Sequence, residues 1–331
     1  MDKKDLRIVF MGTPEFAIGT LSRLVDNGYN VVAVVTQPDK PVGRHQDHLQ
    51  PSEVKQYALE HGIPVLQPVK MKDPAFIKEL ASYNADIQVV VAFRMLPEIV
   101  WAMPRFGTFN VHAALLPQYR GAAPINWAII NGEKETGVTT FFLDKDIDTG
   151  RIILQKHFCI PDDADAEFVY NGLMMLGAEI AEETINLILQ GNGNVNAIDQ
   201  ATFISHNAEE LRNAPKIFKE TCEINWNQNA KKVHDFIRGL SPYPGTWTTL
   251  KCQDSTDNAK KSVLKIFKSA ITDENTINAK PGDIRSNKSH LYVACADQWL
   301  EIKELQISGK KRMPAHDFLN GNRNIEDFFV G

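Results

Sequence analysis

Residues 107–124, GTFNVHAALLPQYRGAAP, run from an apolar stretch into a loop rich in proline and glycine. Phe109 and Val111 are apolar at alternate positions, which predicts the end of a buried β-strand. Side chains two residues apart on a strand point to the same face, so Asn110 and His112 are expected to leave the sheet together. Loops that follow rigid strands often carry active sites, which makes this segment the first functional candidate.

The segments on either side of this strand alternate between strand and helix patterns. Apolar runs at 6–11, 31–36 and 87–92 predict buried strands, with helical patterns between them. Thr13 is predicted to cap the first helix, with Pro14 as the first helical residue. Such alternation predicts an α/β domain with a Rossmann-like, mostly parallel sheet covered on both faces. The carboxyl ends of its strands form the edge where ligands bind.

The pattern changes after a long helical stretch at 166–190. Residues 191–210 are polar and are predicted to be a linker. Beyond them, short strand-like runs separated by turn residues predict a small OB-like β-barrel domain. A chain of 331 residues is long for one domain. We therefore expect a catalytic domain at 1–190, then the linker, and a C-terminal β-barrel domain at 211–331.

Composition argues against several classes of protein. Hydrophobic residues make up 43% of the chain and charged residues 23%, as in ordinary globular proteins. No apolar run approaches the roughly 20 residues of a membrane helix. The polar start, Met1–Asp5, leads directly into a strand pattern, so no export signal is expected. Four scattered cysteines without a Cys-x-x-Cys pair are typical of reduced thiols, and we expect a cytoplasmic protein that does not bind membranes.

Charge is divided unevenly along the chain. Residues 209–331 carry 19 Lys and Arg against 16 Asp and Glu, although the whole chain has a net charge of −5. A mildly basic second domain suits contact with a polyanion, and an ordinary solvated surface is the alternative. The basic triplet Lys310, Lys311 and Arg312 lies in a predicted loop. It has the same two interpretations, phosphate contact or solvated surface.

An amide and an imidazole aimed at one point can stabilise a developing oxyanion. A carboxylate such as Asp148, in the sequence Asp-Thr-Gly at 148–150, can orient the imidazole of His112 and favour its charged form. Asn110 and His112 can equally be polar groups that are satisfied within the fold. From these residue types alone we infer only that the site polarises a carbonyl.

Nucleotide and metal sites find little support in the sequence. The loop Gly12–Glu15 has one glycine, where a dinucleotide-binding loop has three. The acidic stretch Asp144–Asp148 imitates the start of a calcium loop, but it is not followed by that loop's glycine and glutamate. No group of histidines has zinc-ligand spacing. We expect no metal.

Taken together, the motifs resemble the folate-dependent formyltransferases. The likeness covers almost the whole chain and rests first on Asn-x-His at 110–112, Leu-Leu-Pro-x-Tyr-Arg-Gly-Ala-Ala-Pro at 115–124 and Asp-Thr-Gly at 148–150. The runs at 10–17 and 242–247 add to it. Within the family, the sequence is most similar to the branch that acts on methionyl-tRNA. This implies formyl transfer from 10-formyltetrahydrofolate to the α-amino group of methionine on initiator tRNA, with release of tetrahydrofolate.

The resemblance also implies roles for individual residues. The catalytic residues would be Asn110, His112 and Asp148. The folate-binding residues would be Phe93, Arg94, Met95, Leu96, Ala114, Leu115, Leu116 and Pro117. The tRNA-binding residues would be Arg44, Lys310, Lys311 and Arg312. The family usually has serine where this chain has Ala114, so no side-chain hydroxyl is available there. We expect a monomer, because nothing in the sequence demands an oligomer.

Three alternatives stay open at this point. Sugar-amine formyltransferases have a similar two-domain form, but they resemble Gly-Arg-Ala-Pro and Asp-Ala-Gly where this chain has Gly-Ala-Ala-Pro at 121–124 and Asp-Thr-Gly at 148–150. The formyltransferase of purine synthesis would lack a second domain. A non-catalytic protein that binds tRNA or folate is the third alternative, and the intact Asn110, His112 and Asp148 speak against it.

Overall fold

The computed structural model describes residues 2–42, 48–206, 210–252, 261–322 and 324–331. The chain separates into two compact units. The first unit comprises Met1–Gly121, Thr136–Cys159 and Tyr170–Asn213, and the second comprises Ala122–Glu135, Ile160–Val169 and Ala214–Gly331. The division into functional domains at 1–190 and 211–331 with a linker at 191–210 stays a prediction.

The first part of the chain alternates strands and helices. In order, the elements are β1 (Arg7–Gly12), α1 (Glu15–Asp26), β2 (Asn30–Val35), β3 (Lys40–Val42), β4 (His48–Gln50), α2 (Glu53–Glu60), β5 (Val65–Leu66), α3 (Pro74–Ser82), β6 (Ile87–Val91), α4 (Glu98–Trp101), β7 (Thr108–His112), β8 (Arg120–Gly121), α5 (Pro124–Ile130), β9 (Glu135–Phe142), β10 (Ile152–Cys159), α6 (Ala166–Gln190) and α7 (Gln200–His206). The long helix predicted at 166–190 is α6, with the predicted bounds.

The second part of the chain consists mainly of strands. In order, the elements are β11 (Asn213–Ala214), α8 (Ala230–Gly239), β12 (Thr246–Cys252), β13 (Ser262–Asn275), β14 (Ile284–Ser286), β15 (Leu291–Ala294), β16 (Gln298–Ile307), β17 (Met313–Pro314), α9 (Ala315–Gly321) and β18 (Phe328–Val330). Short 3-10 helices at Lys219–Cys222 and Ile325–Asp327 complete the described elements.

A seven-stranded sheet in the order β10-β9-β7-β6-β1-β2-β5 forms the centre of the first unit. β1 is parallel to β2 and β6, β2 is parallel to β5, and β6 is parallel to β7. β9 is antiparallel to β7. The predicted Rossmann-like, mostly parallel sheet is therefore confirmed. The chain passes from β1 to β2 on one side and later to β6 on the other, which creates the switch point where such sheets bind ligands.

The carboxyl ends of the central strands lie at one edge of this sheet. Gly12 of β1 is paired with Val91 of β6, and Val91 is paired with Val111 of β7. His112 is the last residue of β7, as the sequence predicts. The residues that follow β6 and β7 therefore emerge at the ligand-binding edge.

The start of α1 differs from the prediction. The helix begins at Glu15, and Pro14 occupies the N-cap position without a side-chain hydrogen bond. The hydroxyl of Thr13 lies 3.4 Å from the hydroxyl of Thr36 and accepts a hydrogen bond from the backbone N–H of Gln37 at 3.4 Å. Thr13 therefore joins the ends of β1 and β2 and does not cap the helix.

An antiparallel, nearly closed barrel forms most of the second unit, in the strand order β14-β15-β16-β13-β12-β18. A bridge between Asp283 and Phe329 connects the start of β14 with β18 and so links the two edges. The barrel interior is apolar, and α8 and α9 contribute buried residues such as Ile237 and Phe318 to it. The predicted small β-barrel is confirmed. Among the described residues, no helix has the length and apolar character needed to span a membrane.

Candidate active site

The predicted catalytic asparagine lies within β7. Its neighbours across the sheet are Val90 on β6 and Phe141 on β9. Asn110 is half-buried, and its side chain makes no hydrogen bond with any other residue that the structure describes. Its amide N–H groups are therefore available to a ligand at this edge of the sheet. Because Asn110 and His112 are two apart on one strand, both side chains lie on the same face.

The imidazole of His112 is buried between a backbone carbonyl and a carboxylate. Its Nε2 atom lies 2.9 Å from the backbone oxygen of Tyr119. Because a carbonyl oxygen only accepts, Nε2 carries the proton and donates it. The other ring nitrogen, Nδ1, lies 3.9 Å from the Oδ2 atom of Asp148, which is an ion-pair distance longer than a hydrogen bond. Nδ1 is therefore the ring nitrogen that remains for a reacting group.

Two loops that are distant in sequence meet around Asp148. Its Oδ2 atom accepts a hydrogen bond from the backbone N–H of Gly121 at 2.9 Å. Both Asp148 and Tyr119 have left-handed backbone conformations, with φ of 55° and 60°. Such conformations are uncommon outside glycine and occur often at functional sites. The structure thus brings His112 and Asp148 together, whereas their catalytic roles stay a prediction.

Steric contact explains why the third residue of the Asp-Thr-Gly motif, Gly150, is a glycine. A Cβ atom at Gly150 would lie 1.7 Å from the backbone oxygen of Phe142, a distance that no side chain permits. Only glycine lets the turn that carries Asp148 approach the end of β9 so closely.

The first predicted folate-binding segment follows β6. Phe93 and Leu96 pack into a hydrophobic cluster of the first unit, while Met95 is exposed. The guanidinium of Arg94 donates to backbone carbonyls at 68–69 and lies over the ring of Phe93. Burial lowers the pKa of Arg94. Its Nε atom is buried without a hydrogen-bond partner among the described residues.

The second predicted folate-binding segment follows β7. Two side chains for which the sequence predicts no role form hydrogen bonds with its backbone. The hydroxyl of Thr139 donates to the backbone oxygen of Ala114 at 2.6 Å and accepts from the N–H of Leu116 at 3.1 Å. The side-chain amide of Gln155 donates to the backbone oxygen of Leu116 at 2.8 Å. Ala114 and Leu116 are themselves buried, Leu115 is half-buried and Pro117 is buried.

Leu143 connects the two predicted folate-binding segments. It packs against the cluster that contains Phe93 and Leu96, and it also packs against a smaller cluster that contains Leu116. The structure therefore brings both segments to one region of the first unit. Their contact with folate stays a prediction.

The residues predicted to bind tRNA differ in their surroundings. Arg44 lies outside the described residues. Lys310 and Lys311 are exposed in the turn between β16 and β17, and neither forms an ion pair with a described residue. Arg312 makes two hydrogen bonds to the carboxylate of Glu304, at 2.6 and 2.7 Å, and stacks on the ring of Phe267. Arg312 is therefore already paired within the second unit.

Sequence reasoning missed Gln200. This side chain is buried, and its amide contacts Arg120 and the turn at 148–150. A single glutamine in a polar stretch carries no motif or periodicity, so the sequence offers no signal for it. Over the described part of the chain, no group of three or more His, Cys, Asp or Glu residues is arranged to bind a metal ion.

Comparison with known sequences identifies similar proteins. Residues 6–185 match the family model described as formyl transferase, and residues 216–323 match the model described as formyl transferase, C-terminal domain. The methionyl-tRNA formyltransferase of Parabacteroides distasonis is 56% identical over 332 residues, which cover 100% of both chains. The protein of that name from Phocaeicola vulgatus is 55% identical over 99% of both chains. The one from Flavobacterium johnsoniae is 45% identical over 96% of both chains.

Solved structures with similar folds include two that contain a bound folate. The N-formyltransferase of Helicobacter canadensis, in complex with folinic acid and dTDP-3-aminofucose, has a TM-score of 0.63 and 21% identity over 90% of this chain and 98% of its own. HypX of Aquifex aeolicus, in complex with tetrahydrofolic acid, has a TM-score of 0.61 and 18% identity over 96% of this chain and 48% of its own. At these identities the likeness shows the fold alone.

Proposed function

We propose catalytic roles for Asn110, His112 and Asp148, from the premise that this chain belongs to the methionyl-tRNA formyltransferases. The reaction is the transfer of a formyl group from 10-formyltetrahydrofolate to the α-amino group of methionine on initiator tRNA. One observation carries the proposal. The ring of His112 lies at the carboxyl end of β7, between the carbonyl of Tyr119 and the carboxylate of Asp148. The amide of Asn110 lies on the same face of the strand without another partner among the described residues.

The geometry suits stabilisation of negative charge on the formyl oxygen. As the amine attacks the formyl carbon, this oxygen becomes an oxyanion and needs hydrogen-bond donors. The side-chain amide of Asn110 supplies one donor, and a protonated Nδ1 of His112 supplies another. Since Nε2 already donates to Tyr119, the ring is fixed in orientation before substrate binds. The carboxylate of Asp148 stabilises the positive charge of the ring.

The bonds and protons balance without a further reactant. A bond forms between the amine nitrogen and the formyl carbon, and the bond from that carbon to N10 of the folate breaks. The attacking amine loses a proton, and N10 gains one. Because a free α-amino group has a pKa of about 8, a useful fraction is unprotonated at neutral pH. We assign the transfer of the amine's proton to Asp148, by way of water.

Folate binding is proposed for the segments 93–96 and 114–117, which both pack against Leu143. The buried Nε atom of Arg94, which has no partner among the described residues, supports a polar ligand there. Such an atom costs free energy unless something accepts its hydrogen bond. The backbone of these segments would supply most other contacts, since Ala114 and Leu116 bury their side chains.

The tRNA is proposed to contact the second unit through its exposed positive charges and the first unit through Arg44. Lys310 and Lys311 support this role, because they are exposed and have no ion pair with a described residue. We also propose that the protein is a monomer, since one chain supplies all three catalytic residues. A cytoplasmic location is proposed because initiator tRNA is used there in translation.

The proposed function is tested by the transfer of labelled formyl from 10-formyltetrahydrofolate. Charged initiator tRNA, a sugar amine and glycinamide ribonucleotide are offered in parallel. We expect label on methionyl-tRNA alone. Label on the sugar amine would favour the activity of the structural neighbour from Helicobacter canadensis. Binding of folate and tRNA without transfer would show a non-catalytic protein.

A further inference from the structure

We propose that Gln200 is a positioning residue that fixes the geometry of His112 and Asp148 during formyl transfer. This inference rests on the proposed function and assigns a role in that reaction to a segment that the sequence presents as a linker. Gln200 is the first residue of α7 and is 2% exposed. It contacts no substrate in the mechanism described above, so any effect on the reaction must pass through its neighbours.

The amide of Gln200 uses both of its donors and its oxygen. Its Nε2 atom donates to the backbone oxygen of Asp148 at 2.9 Å and to the backbone oxygen of Gly150 at 2.8 Å. Its Oε1 atom accepts from the Nε and Nη2 atoms of Arg120 at 3.1 and 2.6 Å. A side-chain amide has two N–H donors and one oxygen with two lone pairs, so its hydrogen-bonding capacity is filled.

These contacts connect the two loops that determine where the catalytic groups lie. Arg120 stands between Tyr119, whose carbonyl accepts from His112, and Gly121, whose N–H binds the carboxylate of Asp148. Gln200 thus joins the backbone of Asp148 to the loop that orients its partner, His112. The 3.9 Å separation between the imidazole and the carboxylate depends on the relative position of these loops.

The segment around Gln200 is itself attached to the site. Ile198 forms an isolated β-bridge with Ile152, with both hydrogen bonds at 2.8 Å. On the other side of Gln200, Phe203 packs against the cluster that contains Leu116. Contacts on both sides of Gln200 therefore hold its side chain in position next to the turn at 148–150. A fixed amide can restrain a turn whose left-handed residue, Asp148, is intrinsically unfavourable.

Two variants separate the contacts of the amide. Gln200→Met removes the donors and the acceptor at similar volume. Gln200→Glu keeps an acceptor for Arg120 but places carboxylate oxygens against the carbonyls of Asp148 and Gly150. If only the contact with Arg120 mattered, the glutamate variant would retain activity. The control is Thr202→Val, which removes the side-chain hydrogen bond from Thr202 of α7 to the backbone oxygen of Asp199, the residue before the helix, and changes none of the contacts made by the Gln200 amide.

We expect both Gln200 variants to lower the single-turnover rate of formyl transfer at saturating substrates by about 10- to 100-fold, the cost of displacing reacting groups by about 1 Å. The KM for 10-formyltetrahydrofolate and the Kd for methionyl-tRNA should change little. The 15N signals of the His112 ring should move in both variants and not in the control. Melting temperatures of all variants show whether each is folded.

The inference would be overturned by an unchanged rate in Gln200→Glu, by unchanged ring signals in both variants, or by an equal loss of rate in Thr202→Val. A loss of rate that follows melting temperature alone would also show a merely structural role. The activity of the unsubstituted protein distinguishes a failure of this inference from a failure of the proposed function. If the parent does not formylate methionyl-tRNA, the proposed function fails; if it does and the variants match it, only the role of Gln200 fails.

Discussion

Polar side chains are buried and partnered in the loops at the end of β7, whereas most of those in the turn between β16 and β17 are exposed and unpaired among the described residues. In the first unit, His112 is buried, Asp148 is largely buried, and each lies within a short distance of a fixed backbone partner. In the second unit, Lys310 and Lys311 are exposed and form no ion pair with a described residue. Arg312 is intermediate, since it is exposed but paired with Glu304.

This difference determines how each region acts on a substrate. Interactions between buried groups depend steeply on geometry and are little affected by salt. Exposed charges act through water, where each contributes little, add roughly independently and are screened by salt. We therefore expect substitutions in the first region to change the rate of transfer. Substitutions in the second region should change tRNA affinity and its dependence on salt.

The largest effect is expected at His112. His112→Ala should lower the single-turnover rate of formyl transfer by at least ~10²-fold, because it removes a donor to the developing oxyanion. Affinity for folate should change little, since the ring is proposed to bind the oxyanion that develops only during the transfer. His316→Ala, which alters an exposed histidine of the second unit, is the matched control. Near-normal turnover of His112→Ala would exclude this residue from the mechanism.

A smaller loss is expected at Asp148. Asp148→Asn keeps an oxygen for the N–H of Gly121 but removes the negative charge beside the imidazole. The rate of transfer should fall by roughly 10- to 100-fold, at or just below the lower end of the roughly 10²- to 10⁴-fold contributed by groups that assist proton transfer. Asp146→Asn changes an exposed carboxylate in the same loop and should retain most of the rate. Equal losses in the two variants would mean that loop charge, and not contact with His112, is what matters.

The sequence predicts the elements of the first unit well because their signals are local. The pairing of Asn110 with His112 follows from the two-residue period of a strand, and the bounds of α6 follow from its long apolar pattern and the glycines after it. The predicted start of α1 is wrong because the hydroxyl of Thr13 accepts hydrogen bonds from Thr36 and Gln37, which follow β2, and does not cap the helix. Contacts between segments distant in the chain compete with local capping and leave no trace in local sequence.

The same limit applies to the candidate site. The trio of Asn110, His112 and Asp148 could be proposed from residue types and from family resemblance. Gln155 and Gln200 could not, because each acts through hydrogen bonds to the backbone of another loop. A residue that binds backbone atoms places no requirement on the side chains of its partner. No pairing of residue types in the sequence therefore reveals the contact.

The basic turn should show the opposite behaviour to the first unit. Replacing Lys310 and Lys311 with alanine should reduce the slope of log affinity for tRNA against log salt by about one to two units, at roughly 0.7–0.9 for each phosphate contact. Initiator and other tRNAs should be weakened alike, because phosphate contacts carry no sequence information. The rate at saturating tRNA should stay near that of the parent. An unchanged slope would mean that these lysines are ordinary solvated surface.

The smallest effect is expected at Arg312, and it tests whether exposure or pairing decides the role of a surface charge. Its guanidinium is already neutralised by two hydrogen bonds to Glu304, at 2.6 and 2.7 Å. A phosphate would have to compete with that carboxylate for the positive charge of the guanidinium, so Arg312→Gln should change the salt slope by less than the roughly 0.7–0.9 units of one contact. Glu304→Gln supplies the reciprocal test, because it frees Arg312 and should tighten tRNA binding at low salt. A full unit of slope lost in Arg312→Gln would show that the arginine exchanges Glu304 for phosphate on binding. In that case exposure alone would decide which charges of the second unit act on tRNA.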